Sequence, residues 1–318
     1  MSRLLEVKNL VVRLARSRDA PAVVDGVSFA LEKGERLGLV GEKGAGKSAT
    51  GFALLNMLDK PAFIAGGKVL FQGRNLTALS EEALESVRGD RIGMIFGDPE
   101  KVLNPLFTVG RQMMETLAAH RDVAEDRARE IALEGLERVR ASSPERLLER
   151  YPRELSPVAL QRIVMAMALL NQPALLIADE PAAALDATVQ GETMELLLER
   201  CAYERMALVL MTRQPGWLLE VVRKVAVLYA GRIVETGPTH AVVHRPAHPY
   251  TRGLMELAAR GRKGEARGGP LPGSPPAPGE IPAGCPFHPR CPRRMDVCES
   301  REPSLVEKER GRKVACHL

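Results

Sequence analysis

Apolar and polar positions alternate in two short stretches along the first part of the chain. This period of two predicts strands over residues 5–12 and 27–31. The next apolar run, residues 37–40, ends in a glycine-rich loop, and a helical pattern follows from residue 48 to about residue 58. A strand, a glycine loop and a helix in this order are typical of the phosphate-binding unit of an α/β fold.

The middle of the chain changes from this α/β pattern to a helical one and back. Residues 99–150 are rich in Glu, Arg, Leu and Ala and poor in β-branched residues, which favours helices. The α/β pattern returns as helix 158–171, strand 174–178, helix 189–203 and strand 207–211. We therefore expect one α/β domain that carries an inserted helical subdomain.

The last part of the chain differs in composition. Residues 259–284 are rich in Gly and Pro, which predicts an extended linker rather than a helix. His248 and Tyr250 precede it and are expected to pack against the α/β domain rather than to catalyse. The predicted division is an α/β core of residues 1–98 and 155–245, a helical subdomain of residues 99–154, a connecting segment and linker of residues 246–284, and a cysteine-rich region of residues 285–318.

Composition and charge exclude several classes of protein. With 45% hydrophobic and 27% charged residues, the chain can bury a core and is not intrinsically disordered. The 45 Lys and Arg against 40 Asp and Glu give a net charge of +5, too small and too dispersed for a nucleic-acid-binding protein. No apolar run is long enough to span a bilayer, and the first residues lack the apolar stretch of a signal peptide. We expect a cytosolic protein.

Residues 41–48 satisfy the pattern G-x-x-x-x-G-K-[ST] of phosphate-binding loops. Glycines let backbone N–H groups approach phosphate oxygens, and the N-terminus of the following helix adds positive potential. In this pattern Lys47 reaches the β- and γ-phosphates, and the Ser48 hydroxyl binds Mg²⁺. A chance glycine turn is the alternative, which the flanking strand and helix disfavour. The predicted nucleotide-binding residues here are Gly41, Gly44, Ala45, Gly46, Lys47, Ser48 and Ala49.

A second motif follows the apolar strand at residues 175–178, which ends in the carboxylates of Asp179 and Glu180. Asp179 would hold Mg²⁺ through water, and Glu180 would polarise the attacking water as a general base. Acidic pairs at strand ends are common on their own. Together with the phosphate-binding loop, this pair predicts an Mg-ATP site in which Glu180 is the catalytic residue.

Further motifs resemble those of ABC-type ATPases. Asp-Glu-Pro at 179–181 and Ala-Leu-Asp at 184–186 resemble the family's second nucleotide motif and its D-loop, which would contain Asp186. Tyr-Pro-Arg-Glu-Leu-Ser at 151–156 lies where the family has its signature. The resemblance covers essentially the whole chain. Three further segments are specifically similar to the ATPase subunits of bacterial dipeptide and oligopeptide importers, namely residues 103–110, 248–251 and 285–291.

This resemblance implies a P-loop ABC-type nucleotide-binding domain with ATP and Mg²⁺ as cofactors. It implies a peripheral subunit on the cytoplasmic face of a prokaryotic cell membrane, which couples ATP hydrolysis to the uptake of a solute such as a di- or oligopeptide. The implied partners are a second ABC ATPase subunit, two integral membrane permease subunits and an extracytoplasmic solute-binding protein, and nucleic acid is not among them. The alternative is a subunit that binds ATP structurally or as a regulator and leaves hydrolysis to its partner.

Three motifs depart from the family pattern and motivate that alternative. The family's Gln after the Ile-Phe strand is replaced by Gly97, and its switch His by Arg213. The family's signature Ser-Gly-Gly is replaced by Ser156, Pro157 and Val158. In family dimers each ATP lies between one chain's phosphate-binding loop and the other chain's signature, so a homodimer would contain every departure twice. We therefore expect a heterodimer.

The physical consequences differ among these positions. Gly97 offers no side chain to bind Mg²⁺ or water. Pro157 lacks an N–H and Val158 is branched, which weakens a backbone contact to phosphate, although Ser156 as N-cap and Pro157 as first helical residue start a helix well. Arg213 cannot accept a proton as His does. It would either lie against the γ-phosphate as a fixed cation or be a solvated side chain without a role.

The spacing C-x5-C-x6-C-x17-C is formed by Cys285, Cys291, Cys298 and Cys316. Four thiolates can hold an iron–sulfur cluster or Zn²⁺, although zinc usually prefers closer cysteine pairs, and unliganded thiols are a third possibility. In the resembled subfamily this segment binds a [4Fe-4S] cluster, which implies the same role for these residues and a metal that folds the tail. Cys201, in a predicted helix, is expected in the core.

Overall fold

The structure is a computed structural model that describes residues 3–17, 20–263 and 271–318. The chain divides into two compact units. The terminal unit, which uses both ends of the chain, comprises Met1–Leu79 and Leu210–Leu318, and the central unit comprises Ser80–Val209. Among the described residues, no helix is both long enough and apolar enough to cross a membrane.

Strands and helices alternate through much of the described chain. The strands are β1 (Leu5–Arg13), β2 (Ala22–Leu31), β3 (Arg36–Val40), β4 (Phe63–Phe71), β5 (Arg74–Asn75), β6 (Ile92–Ile95), β7 (Leu175–Asp179), β8 (Ala207–Thr212), β9 (Lys224–Tyr229), β10 (Arg232–Pro238), β11 (Val306–Glu309) and β12 (Arg312–Val314). The helices are α1 (Lys47–Leu54), α2 (Glu81–Glu85), α3 (Pro99–Val102), α4 (Val109–Ala118), α5 (Glu125–Arg138), α6 (Pro144–Leu148), α7 (Pro157–Leu169), α8 (Ala187–Tyr203), α9 (Leu218–Val221), α10 (Thr239–His244), α11 (Pro249–Lys263) and α12 (Val297–Ser300).

The terminal unit contains strands of two sheets. An antiparallel sheet has the order β2-β1-β4-β5, and Leu5 of β1 lies opposite both Leu31 and Phe71. In the second sheet this unit contributes strands in the order β11-β12-β10-β9-β3, with β3 parallel to β9. The apolar run predicted as a strand at residues 37–40 is buried along its length, which is typical of a parallel strand covered on both faces. It ends at the phosphate-binding loop.

The central unit combines a parallel strand pair with helices. Strands β6 and β7 run parallel, with Ile92 opposite Leu175 and Ile95 opposite Ala178. Helices α3 to α6 lie within residues 99–150, as their composition predicts. Gly110 lets α4 approach α6 closely, because a Cβ atom there would lie 2.7 Å from the carbonyl oxygen of Leu148. The division of the chain at residues 98/99 and 154/155 stays a prediction.

Most of the predicted elements are confirmed to within a few residues, but the linker prediction is wrong at its start. Helix α11 runs Pro249–Lys263, so residues 259–263 are helical. Ala, Arg and Lys are strong helix formers, and they dominate this stretch before the Gly and Pro residues begin. Residues 264–270 lie outside the described residues, and residues 271–287 form no helix or strand.

The cysteine-rich tail is built into the terminal unit. Strand β12 pairs with β10, where Glu235 lies opposite Val314, and the Ala315 N–H donates to the Val234 carbonyl at 2.8 Å. Arg312 donates two hydrogen bonds to the Glu235 carboxylate, at 2.6 and 3.1 Å, and both side chains are buried. The tail therefore docks on the terminal unit through backbone and side-chain contacts of the protein, and the expectation that a metal folds it stays a prediction.

Candidate functional site

The phosphate-binding loop connects β3 to α1 in the terminal unit. Gly44 and Gly46 have φ values of +82° and +99°, the region that L-residues avoid. Gly46 is also closely surrounded, because a Cβ atom there would lie 2.5 Å from the Val23 carbonyl oxygen. The loop thus depends on glycine at position 46 for both its backbone conformation and its space.

Lys47 begins α1 and is buried, with 6% of its surface exposed. Its Nζ donates to the carbonyl oxygens of Gly41 at 2.8 Å and Glu42 at 3.1 Å. Ser48 follows and is exposed, while the Thr50 hydroxyl donates to the Gly46 carbonyl at 2.8 Å. The ammonium group is therefore held on the loop at the N-terminus of α1, where positive charge stabilises a bound phosphate.

In the central unit, β7 ends at Asp179, and Glu180 follows with φ of +49°. Left-handed backbone is uncommon for residues other than glycine, and it clusters at functional sites. Gly97 lies beside this strand end, because a Cβ atom at Gly97 would lie 3.0 Å from the Asp179 carbonyl oxygen and 3.2 Å from the Glu180 Cβ. The structure thus brings three predicted residues of this unit together, and a larger residue at position 97 requires its neighbours to shift slightly.

The signature position and the D-loop position both form helix caps. The Ser156 hydroxyl accepts a hydrogen bond from the Ala159 N–H at 3.3 Å, and Pro157 is the first residue of α7, which confirms the predicted N-cap. Ser156 and Pro157 are exposed and Val158 is half-buried. Asp186 caps α8 by accepting hydrogen bonds from two backbone N–H groups, each at 3.1 Å. These residues therefore have a local structural role in addition to the predicted functional one.

Behind the phosphate-binding loop lies a cluster that the sequence analysis missed. The Tyr250 hydroxyl accepts a hydrogen bond from the Glu42 N–H at 2.9 Å. The Tyr250 ring packs against Tyr229 and Phe287, with centroid distances of 4.6 and 5.4 Å. Arg290 donates two hydrogen bonds to the Glu42 carboxylate, at 2.8 and 3.0 Å. The motif pattern leaves the residue at position 42 unspecified, so nothing in the sequence pointed to this contact.

His248 also packs in the terminal unit, as predicted, and is 1% exposed. Its Nδ1 accepts a hydrogen bond from the Tyr250 backbone N–H at 3.1 Å, and the backbone N–H of His248 donates to the Glu235 carboxylate at 2.8 Å. Burial lowers the pKa of His248 to about 4. The imidazole is therefore neutral near pH 7 and caps the first turn of α11.

The four cysteines of the tail occupy one region. Cys285 and Cys298 are buried, Cys291 and Cys316 are half-buried, and the Cys285 N–H donates to the Cys298 carbonyl at 2.8 Å. Burial, together with the three neighbouring thiols, raises the pKa of Cys285 to about 11. Within the described ranges, however, no group of three or more His, Cys, Asp or Glu is arranged to hold a metal ion. The predicted cluster therefore gains no support from this arrangement. Cys201 is buried in α8, as expected.

The predicted site residues are divided between the two units. The terminal unit contains the loop at residues 41–49, Arg213 and the tail cysteines. Arg213 is exposed and directly follows β8. The central unit contains Gly97, the signature position, the two carboxylates and Asp186. The individual functional roles of these residues stay predictions.

Two family profiles match the chain over different residues. The profile described as "ABC transporter" matches residues 24–183, which include the phosphate-binding loop and the strand-end carboxylates. The chain belongs to the ABC transporter family. The profile described as "Oligopeptide/dipeptide transporter, C-terminal region" matches residues 234–298 of this ABC protein, which include three of the four tail cysteines.

Curated relatives align with the ABC protein over nearly its whole length. It is 39% identical over 314 residues to the dipeptide transport ATP-binding protein DppD of Escherichia coli (strain K12), covering 99% of this chain and 96% of the relative. It is 41% identical over 313 residues to the oligopeptide transport ATP-binding protein OppD of Salmonella typhimurium, covering 98% and 93%. These similarities support the expectation of an ATP-binding transporter subunit, and none supports the alternative of a subunit without turnover.

Solved ABC cassettes share the fold. The dimeric cassette MJ0796, in a post-hydrolysis state bound to ADP and Pi, matches with a TM-score of 0.65 and 23% identity, covering 74% of this chain and 98% of that chain. The cassette cbiO1 from Clostridium perfringens matches with a TM-score of 0.64 and 24% identity, covering 77% and 92%. At these identities the likeness shows the fold, an α/β ABC cassette, as predicted. It does not test the cysteine-rich extension.

Proposed function

We propose that this ABC protein is the ATP-binding subunit of an importer of di- or oligopeptides and couples ATP hydrolysis to their uptake. The observation that carries the proposal is the combination of two matched regions in one chain, an ABC segment at residues 24–183 and a peptide-transporter C-terminal region at residues 234–298. Relatives named for dipeptide or oligopeptide transport align with at least 98% of the chain.

Mg-ATP is the nucleotide that suits the residues present, and its hydrolysis supplies the free energy for transport. We assign Lys47 to the β- and γ-phosphates and Ser48 to Mg²⁺. The buried ammonium group, held on the loop at the start of α1, supports this assignment. We assign Asp179 to Mg²⁺ through water and Glu180 to the attacking water as general base. The left-handed backbone of Glu180 supports a functional role at that position.

The departures from the family pattern favour a heterodimer. Pro157 has no N–H to offer to a phosphate, and Gly97 has no side chain. In the proposed assembly a second ATPase subunit supplies the signature that faces this chain's phosphate-binding loop. The remaining partners are two integral membrane permease subunits and an extracytoplasmic solute-binding protein. The ABC protein would bind the permeases from the cytoplasmic face of a prokaryotic membrane.

The tail cysteines are proposed to bind a [4Fe-4S] cluster. The proposal rests on the spacing of the four cysteines and on the match of residues 234–298 to the peptide-transporter C-terminal region. The arrangement of the thiols within the described residues adds no support to it. The proposed cluster is tested by measuring iron and acid-labile sulfide in protein purified without oxygen. A Cys285→Ser and Cys298→Ser double variant is the control. Zinc or no metal in the wild-type protein would overturn it.

Transport by the reconstituted assembly tests the proposed function. Vesicles that contain the permeases, both ATPase subunits and the solute-binding protein are expected to take up labelled dipeptides when Mg-ATP is supplied on the ATPase side. Lys47→Ala in this chain is expected to abolish uptake, because the loop loses its phosphate-binding cation. Lys43→Ala is the matched control, since Lys43 is an exposed lysine of the same loop, at a position that the motif leaves unspecified. ATP-dependent uptake of a metal ion instead of peptides would refute the proposed substrate class.

A further inference from the structure

Glu42, the second residue of the phosphate-binding loop, is held at three points. Its N–H donates to the Tyr250 hydroxyl at 2.9 Å, and its carbonyl accepts from Lys47 Nζ at 3.1 Å. Its carboxylate accepts a two-point contact from Arg290, at 2.8 and 3.0 Å. Two of these three partners come from the C-terminal part of the chain, more than 200 residues away from the loop in sequence.

Arg290 is itself firmly placed. Its side chain is 5% exposed, and its guanidinium lies 5.7 Å from the Tyr229 ring centroid and 5.8 Å from that of Phe287. The Nε group donates to the Pro272 carbonyl at 2.6 Å, and one terminal nitrogen donates to the Tyr229 hydroxyl at 3.3 Å. Burial alone would lower the pKa of Arg290, but its hydrogen bonds to Glu42 and Tyr229 raise it above the ordinary value. The contact is therefore a charged, two-point pair.

The phosphate-binding loop acts through its backbone, so the orientation of its peptide groups decides how well it binds phosphate. The Tyr250 and Lys47 contacts hold the peptide groups on either side of Glu42, and the Arg290 contact holds its side chain. A planar guanidinium fixes a carboxylate in both distance and direction. Loss of Arg290 would leave a half-buried carboxylate unpaired beside the loop and free to change its conformation.

We propose that Arg290 is a positioning residue for nucleotide binding, through which the C-terminal region holds the phosphate-binding loop by Glu42. The inference rests on the proposed ATP-binding function. The C-terminal region then contributes to the nucleotide site, because the docking of the segment around Arg290 influences the affinity of the loop for phosphate. Arg290 precedes the predicted metal ligand Cys291, but the contact is made by the protein alone.

A second buried arginine of the same tail provides a matched control. Arg312 is paired with Glu235 in two hydrogen bonds and joins β12 to β10, as strongly buried as Arg290 but without a contact to the loop. If both buried arginine pairs only stabilise the fold, substitutions at the two positions have equal effects on nucleotide affinity. A positioning role predicts that only the Arg290 pair affects nucleotide affinity.

The experiment measures Kd for Mg-ATP by calorimetry on the purified full-length chain, together with the thermal midpoint of each variant. Arg290→Gln is expected to raise Kd at least about tenfold, which corresponds to about 1.4 kcal/mol. Arg290→Lys is expected to raise it less, because the charge is kept while the two-point geometry is lost. Arg312→Lys is expected to lower the thermal midpoint and leave Kd unchanged. Glu42→Gln combined with Arg290→Gln is expected to raise Kd no further than Arg290→Gln alone.

Two results would overturn the inference while leaving the proposed function intact. In the first, wild type and Arg290→Gln bind Mg-ATP equally well. In the second, Arg290→Lys and Arg312→Lys raise Kd equally, which would assign the effect to general loss of stability. The Lys variants keep the charge of each pair, so they provide this comparison even if Arg290→Gln does not fold. Failure of the wild-type chain to bind Mg-ATP would instead overturn the proposed function, and this inference with it.

Discussion

Substitution of Gly46 by Ala tests the account of the phosphate-binding loop most sharply among single changes there. The φ value of +99° disfavours any L-residue, and left-handed backbone costs about 1–2 kcal/mol. The added Cβ would also lie 2.5 Å from the Val23 carbonyl oxygen and 3.3 Å from the Gly231 Cα, both backbone atoms that a side-chain rotation cannot move. Overpacking of this kind costs about 1–3 kcal/mol. We expect Gly46→Ala to destabilise the protein by about 2–5 kcal/mol.

A glycine elsewhere in the terminal unit separates the two contributions. Gly311 has φ of +75°, and no atom lies within 4 Å of the Cβ that Ala would add there. Gly311→Ala therefore carries the backbone cost of about 1–2 kcal/mol without the crowding. Urea unfolding of both variants gives the difference in stability, and calorimetry gives the Mg-ATP affinity. Only Gly46→Ala is expected to raise Kd, by at least about tenfold, because relief of the contact with Val23 displaces the loop. Equal destabilisation by the two variants and an unchanged Kd for Gly46→Ala would refute the account.

Three further changes are expected to have measurable effects. Gly97→Gln is expected to raise the ATPase rate of the assembled transporter at least about tenfold by supplying a group that orients water, since positioned groups contribute roughly 10²–10⁴-fold. Gly97→Ala, which adds the same Cβ, is the control, and equal ATPase rates for the two variants would contradict the expectation. Tyr250→Phe is expected to lower the free energy of unfolding by about 1–3 kcal/mol in urea titrations, because the Glu42 N–H loses its acceptor. An unchanged free energy of unfolding would argue against that hydrogen bond. Burial lowers the pKa of His248 from 6.5 to about 4, so between these pH values the imidazole is protonated in the unfolded chain and neutral in the folded one. The contribution of His248 to the free energy of unfolding is therefore complete above pH 6.5 and falls by about 3 kcal/mol toward pH 4. His248→Asn keeps a capping side chain without a titrating group and is expected to remove that pH dependence from the free energy of unfolding.

Sequence patterns were sufficient for the features that depend on neighbouring residues. The loop, α1 and β7 follow from glycine spacing and apolar runs, and the cap at Ser156 follows from the preference of Ser-Pro for a helix start. Helix α11 was not predicted, and residues 259–263 at its C-terminal end were included in the predicted linker because the Gly and Pro content farther along the chain outweighed their helix formers.

Contacts between distant parts of the sequence could not be predicted in this way. The pairing of Arg290 with Glu42 joins positions 248 residues apart, and neither residue belongs to a motif position with an assigned chemistry. The docking of β12 on β10 depends in the same way on a long-range pair, Arg312 with Glu235, that 77 residues separate. Periodicity describes which face of an element is buried, whereas the partner of a buried charge is set by the tertiary fold.

ATP hydrolysis by the assembled transporter, with Glu180→Gln introduced in this chain alone, tests the central claim most directly. If the chain is a hydrolysing subunit with Glu180 as general base, the site's own turnover falls roughly 10²–10⁴-fold, and the rate drops to what the partner's site sustains. A rate equal to that of the unaltered assembly would contradict this claim and assign all hydrolysis to the partner subunit.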